Sequence, residues 1–219
     1  VRIVAFSDIH LPTLWKEFHN LFNNLDSDLC IIAGDLTDNG NTSMVGSFLY
    51  SLKKGCSNIV AVFGNNDYDV IRSELKWKYN YVKWLEEEVF IIDNLIIVGS
   101  IGFTEKINSF MLRRRNTLVE MEERWRKVTN LLRKAKEIGG KVILVTHYSP
   151  TFKTLRGEEE RAWPYLGYRF IETIDENLLP DISIHGHAHK GEVEMAEIRN
   201  TSVYNVALPA RRKLTIIKG

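Results

Sequence analysis

The sequence predicts an α/β fold in which two β-sheets pack face to face with helices outside. Apolar runs rich in β-branched residues alternate with stretches of helical spacing, and the C-terminal portion turns mostly to strand. At 219 residues, with 44% hydrophobic and 11% aromatic content, the chain can bury a sizeable core. No internal repeat, low-complexity tract or linker divides it, so residues 1–219 read as one domain.

Arg2 to Ser7 reads as a buried strand, and Pro12 to Leu25 places Leu14, Trp15, Phe18, Leu21, Phe22 and Leu25 at helical spacing. Leu29 to Ala33 and Asn58 to Phe63 are the next strands. Between them, Thr42 or Ser43 is placed to cap a helix that runs to about Lys53 and stops at Gly55. Tyr68 to Glu87 is helical in part, its aromatics and β-branched residues blurring the period. Val89 to Ile92 and Leu95 to Gly99 form a strand pair around the Asp93-Asn94 turn. Thr117 to Ile138 is the longest helix, charged outside and ended by Gly139-Gly140. Lys141 to Val145 and Asp181 to Ile184 are buried strands; Glu192 to Arg199, Ser202 to Ala207 and Lys213 to Ile217 form an antiparallel ending.

The charge, 29 basic against 28 acidic residues, is balanced, so nothing overall suggests polyanion binding by bulk electrostatics, and local basic clusters remain open. No apolar stretch approaches the roughly 20 residues that span a bilayer. The first residues read as a strand rather than a signal peptide, so a cytoplasmic protein without membrane contact is expected. Cys30 lies in an apolar run and Cys56 follows Gly55, neither in a C-x-x-C pattern, and both are expected as buried, reduced thiols.

Five polar islands follow apolar runs: Asp8-Ile9-His10, Gly34-Asp35-Leu36-Thr37-Asp38, Gly64-Asn65-Asn66-Asp67, Thr146-His147 and Gly186-His187-Ala188-His189. In an open α/β sheet, loops leaving the carboxyl ends of strands line a common crevice, so these distant residues can meet. Asp8 and His10 alternate at a strand end and can face one ion. Asp35 follows a glycine that allows a sharp turn, and its two carboxylate oxygens can bridge two cations. Asn65 offers an amide oxygen, and His147, His187 and His189 offer imidazole, the commonest ligand for transition metals near neutral pH. Taken singly, each island has an ordinary reading: Gly-Asp in a turn, or an Asn holding a loop. His19, among apolar residues on a helix, reads as structural, and His185, before the glycine, as a strand residue that packs or supports a ligand.

Together and in this order, Asp8-x-His10, Gly34-Asp35-x-x-Asp38, Gly64-Asn65-x-Asp67, His147 and Gly186-His187-x-His189 resemble the calcineurin-like metallophosphoesterase family over essentially the whole chain. The resemblance implies a four-layer αββα sandwich and two divalent metal ions: manganese, iron or zinc, with manganese favoured. It implies Asp8, His10, Asp35 and His189 around one ion and Asp35, Asn65, His147 and His187 around the other, with Asp35 as the bridge and a hydroxide held between the ions attacking phosphorus. None of these seven positions is missing. Asn66 departs from the pattern, because many members carry there a His that protonates the leaving group and is oriented by the next residue, here Asp67. An amide is no general acid near pH 7, although it donates hydrogen bonds. Asp35, Asn66 and Asp67 are therefore the catalytic candidates, with Asp67 also read as stabilising its loop, and phosphodiesters are expected over monoesters.

A small phosphate ester or nucleotide is the expected substrate. A homo-oligomer is left open, and nucleic acid is not expected, since no extra DNA-binding or coiled-coil region is present. The alternative is a non-catalytic metal-binding scaffold or interaction module on the same fold, with Asn66 marking lost acid chemistry. Two further segments are placed to overhang the crevice. Phe103 to Asn116 carries Arg113-Arg114-Arg115, and Thr151 to Phe170 carries Arg156, Arg161 and Arg169 with Trp163, Tyr165, Tyr168 and Phe170. Both also read as a solvated charge run and a packed hydrophobic loop. Arg211-Arg212-Lys213 reads as a surface cluster.

Overall fold

The computed structural model describes residues 1–109 and 117–218. Its strands are β1 (Arg2–Phe6), β2 (Ser27–Ala33), β3 (Cys56–Val62), β4 (Val82–Trp84), β5 (Glu88–Ile92), β6 (Leu95–Ser100), β7 (Lys141–Thr146), β8 (Ile182–His185), β9 (Met195–Ile198), β10 (Thr201–Asn205) and β11 (Thr215–Lys218). The main helices are α1 (Trp15–Phe18), α2 (Val45–Gly55), α3 (Asp69–Lys78) and α4 (Leu118–Ile138). One sheet has the order β11-β1-β2-β3-β4 and the other β5-β6-β7-β8-β10-β9. β1 to β4 run parallel with β11 antiparallel. In the second sheet β6, β7, β8 and β10 run parallel between antiparallel β5 and β9.

The two-residue period of the strands builds the layers. On β1, Ile3 and Ala5 join Leu29, Ile31, Val60 and Val62, and meet Ile97, Ile143, Val145 and Ile184 of the second sheet. The alternate residues Val4 and Phe6 face outward with Ile32 and Ala61, and are covered by Val45, Phe48, Leu49 and Leu52 of α2. On the far side Ile96, Val98, Val142 and Leu144 meet Val128, Leu132 and Ala135 of α4. Both faces of the central strands are thus dry, which is why they read as unbroken apolar runs. The result is the expected four-layer αββα sandwich.

α4 starts as its sequence predicts. Thr117 accepts the Glu120 backbone N–H while the Glu120 carboxylate takes the Thr117 N–H, a reciprocal capping box. Elsewhere tertiary packing overrides the periodic pattern. The helix expected over Pro12 to Leu25 shrinks to α1 and a 3-10 turn at His19–Phe22. There Trp15 and Phe22 are drawn into an aromatic group with Phe6 and Phe48. Neither Thr42 nor Ser43 caps α2, which begins after Met44. The blurred stretch after Tyr68 splits into α3 and the short edge strand β4, whose Val82 and Trp84 point inward.

The cysteines are not reduced thiols: Cys30 and Cys56 form a disulfide, with Cα atoms 5.9 Å apart. β2 and β3 are paired neighbours, which brings both residues within the span a disulfide bridges.

Asp67 ties the turns after β2 and β3 together. Fully buried, it accepts hydrogen bonds from the backbone N–H of Thr37 (2.8 Å), Gly64 (2.9 Å) and Leu36 (3.3 Å) and from the Thr37 hydroxyl (2.9 Å). The Thr37 hydroxyl also reaches the Asn66 carbonyl at 2.9 Å. Asp67 therefore acts on loop backbone and the Thr37 hydroxyl, while the Asn66 side chain turns to Asp35.

Two outcomes are expected. Unfolded without reductant, the protein should show no free thiol, and after reduction both cysteines should titrate, with a loss of about 3 kcal/mol in stability measured by urea unfolding. Asp67→Asn, which turns one acceptor oxygen into a donor facing N–H groups, should cost about 1–3 kcal/mol in the same assay on chelator-treated protein.

Candidate metal centre

Parallel pairing within β1-β2-β3 and within β7-β8 brings their carboxyl ends to one edge of the sandwich. The two sheets are stitched there. Ser7 N–H donates to Val206 O at 3.2 Å, and Leu208 N–H to Ser7 O at 3.1 Å. His187 N–H donates to Asp8 Oδ2 at 2.9 Å.

The strand-end loops converge. Asp8, Asp35, His147 and His187 form one group of potential ligands and Asp8, His10 and His189 a second, each with its nitrogen and oxygen atoms within 4.8 Å of one another. Asp8 and His147 are fully buried and Asp35 is 1% exposed, so these charges and rings are held in protein rather than water. His10 Nε2 lies 3.7 Å from Asp35 Oδ2, and His147 Nε2 lies 3.5 Å from the same oxygen. A single Asp35 oxygen thus stands between the two groups. Asp8 touches both as well, through Oδ1 to His189 Nε2 at 2.8 Å and Oδ2 to His187 N–H.

The surroundings of His147 show what the cluster can hold. Its Nδ1 lies 3.1 Å from Ala33 O, so Nδ1–H donates to the carbonyl and Nε2 presents a lone pair. Facing that nitrogen are Asn65 Oδ1 at 2.9 Å, His187 Nδ1 at 3.1 Å and Asp35 Oδ2 at 3.5 Å. With Nδ1–H committed to Ala33, the His147 Nε2 lone pair and those of the Asn65 and Asp35 oxygens repel at these distances, and a cation among them reverses the sign of the interaction. Imidazole with carboxylate and amide oxygen suits a divalent transition metal.

Proton affinities follow from the packing. Burial alone would raise the Asp8 carboxyl, but the His189 hydrogen bond and the surrounding imidazoles outweigh it and hold Asp8 well below the usual carboxylate range. Burial, then the neighbouring His147, pushes His187 far down, which keeps it neutral and able to ligate. His189 is the exception: burial pulls it down, yet its hydrogen bond to Asp8 carries the net shift upward.

The backbone is strained where the candidate ligand atoms are. Asp8 (φ 59°), His10 (φ 47°), Asp35 (φ 50°) and His187 (φ 67°) all adopt left-handed conformations that side chains with a Cβ normally avoid. Glycines make room beside them. A Cβ on Gly64 would overlap the Asp35 carboxylate, and one on Gly186 the Asp8 carboxylate and the Ser7 hydroxyl.

Asn66 lies against the cluster rather than over open space. Its backbone N–H donates to Asp35 Oδ1 and its side-chain amide to Asp35 Oδ2, both at 2.7 Å. His19 is exposed on the 3-10 turn with Nδ1 near Lys16 O, away from the edge. His185 is fully buried under the loop, its Nε2 2.7 Å from Thr154 Oγ1 and its Nδ1 2.7 Å from Gly186 O; burial pushes its pKa down to about 4. Two contributors went unmarked in the sequence. The Ser7 hydroxyl donates to Asp8 Oδ2 at 2.5 Å, and the Ala33 carbonyl orients His147. Ser7 could have been suspected from its place directly before Asp8, whereas a backbone carbonyl leaves no signal. Arg113-Arg114-Arg115 lies outside the described residues. Among the described residues no helix is long and apolar enough to cross a membrane.

Among curated proteins, none matches this sequence. Solved structures share the fold at low identity. Phosphopantetheinyl hydrolase (PptH) from Mycobacterium tuberculosis is similar over 98% of this chain and 95% of its own, at 15% identity and a TM-score of 0.61. Sulfate thiohydrolase SoxB from Thermus thermophilus aligns with 98% of this chain at 12% identity and a TM-score of 0.59, and the present chain spans 55% of its length. GAP50 of Plasmodium, described as the anchor in the inner membrane complex, aligns over 96% of this chain and 72% of its own, at 16% identity and a TM-score of 0.59. The family model for calcineurin-like phosphoesterases matches residues 1–191, a span that includes all five strand-end loops and every ligand candidate from Asp8 to His189, and the chain belongs to that family.

Proposed function

We propose that residues 1–219 act as one dinuclear metal-dependent phosphoesterase domain, with small phosphodiesters or nucleotides preferred over monoesters. The observation that carries this reading is the convergence of nitrogen and oxygen ligand atoms around His147 Nε2 and Asp35 Oδ2. Asp8, His10, Asp35 and His189 would hold one ion and Asp35, Asn65, His147 and His187 the other. Two divalent cations bound there would acidify a water and neutralise charge on phosphoryl oxygens.

The chain's own residues set up that chemistry. Asn66 pins both Asp35 oxygens, so the bridging carboxylate keeps one orientation. Ser7 and the His187 N–H fix Asp8 in the same way. The Ala33 carbonyl sets the His147 tautomer. Ligand atoms held in this way need no rearrangement when a cation binds. The Asn66 amide carries no transferable proton and is committed to Asp35, so its loop gives a departing alkoxide no acid. Esters with good leaving groups and diesters suffer least from that lack. Manganese as the metal, a nucleotide-type diester as substrate and a cytoplasmic location complete the proposal.

Metal-stripped protein supplied with manganese should hydrolyse bis-p-nitrophenyl phosphate faster than p-nitrophenyl phosphate. In Asp35→Asn both bound metal and turnover should fall, turnover by more than about 100-fold, since even residues that only support ligands cost 10–100-fold. Near-wild-type metal content and rate in that variant would sink the proposal. Asn66→His should restore an acid: the rate on phenyl phosphate relative to p-nitrophenyl phosphate should rise by at least about tenfold, within the range general acids contribute. An unchanged ratio would show that Asn66 does not limit leaving-group protonation.

A further inference from the structure

A cleft of about 630 Å³ is lined in part by Phe152, Lys153, Arg156, Glu158, Trp163 and Arg169. It is joined to the metal-ligating loop through a shared wall. Glu158 Oε1 accepts the backbone N–H of Lys190, the residue after His189, at 2.7 Å, and Arg156 O accepts the Glu192 N–H at 2.7 Å.

The lining is chemically mixed in an informative way. Phe152 and Trp163 are half-buried and meet edge to face at 5.9 Å, and the Trp163 indole N–H is tied to Glu158 O at 3.1 Å. The Arg169 guanidinium lies 5.5 Å from the Phe152 ring while it pairs with Glu105 at 2.7 Å, which fixes that ring from outside. Lys153 and Arg156 are exposed at the rim with no ion pair among the described residues. A site for a bare anion or a polyphosphate would not place Glu158 and Glu160 in its wall. Carboxylates instead accept hydrogen bonds from sugar hydroxyls, and fixed aromatic faces beside free cations suit a planar base.

We infer that this cleft takes the nucleoside part of the substrate, with the base against Phe152 and Trp163, the sugar toward Glu158, and the phosphoryl group at the cluster beside His189. The inference rests on the phosphoesterase reading above and narrows its substrate to nucleotide esters.

Two esters with the same leaving group separate the cleft from the cluster: adenosine 5′-(p-nitrophenyl phosphate) and methyl p-nitrophenyl phosphate, each assayed with the manganese-loaded protein. The adenosine ester should be preferred in kcat/KM, and Trp163→Ala and the exposed-residue variant Arg156→Ala should each reduce that preference about fivefold or more, mainly through KM, as loss of base stacking or of a cation contact does. Equal losses on both esters, or no wild-type preference while the methyl ester is turned over, would overturn the cleft assignment and leave the phosphoesterase reading standing. If neither ester is turned over, that reading fails, and calorimetric titration of adenosine into metal-free protein decides the cleft by itself. Binding that weakens in Trp163→Ala supports it, and absence of binding overturns it.

Discussion

The Asp35 carboxylate is gripped from behind by the backbone and side chain of Asn66 and faces His10 and His147 in front. That arrangement requires three things at once. β2 and β3 must be parallel neighbours so that their exit loops meet, Gly64 must leave room for the carboxylate, and Asp67 must hold the two loops in register from below. Removing any one moves an oxygen that both halves of the cluster depend on.

The cluster is a locally unfavourable structure on a favourable scaffold. Several candidate ligand residues sit at positive φ, carboxylates are buried, and the His147 Nε2 lone pair faces the Asn65 and Asp35 oxygens. Each feature costs of order 1–3 kcal/mol by itself. The apolar layers between and outside the sheets hold the strand ends in place regardless, so the strain stays confined to the edge where it orients ligand atoms. Local rules are broken here and kept in the core, the pattern expected where a fold carries chemistry.

Much of this was legible in the sequence because its signals are chemical or periodic. Strands dry on both faces read as apolar runs, Thr117 and Glu120 spelled out a helix start, and the His and Asp positions at strand ends marked the crevice. What escaped depended on contacts between distant segments. The early helix gave way to aromatic packing against Phe6 and Phe48, and β4 was too short to show a period. The Cys30–Cys56 bond follows from strand pairing that spacing alone does not reveal. The role of Asn66 was half visible. Its lack of an acidic proton is written in the residue type, but its grip on Asp35 needed coordinates.

In the proposed centre one Asp35 carboxylate joins two cation sites. Electron paramagnetic resonance of the protein loaded with manganese, with bound metal counted on the same sample, tests it most directly. Two manganese ions per chain with an exchange-coupled signal are predicted, because ions sharing a carboxylate in a dinuclear site lie only about 3.5–4 Å apart. A single ion per chain, or two with the uncoupled spectrum of isolated manganese, would contradict the account.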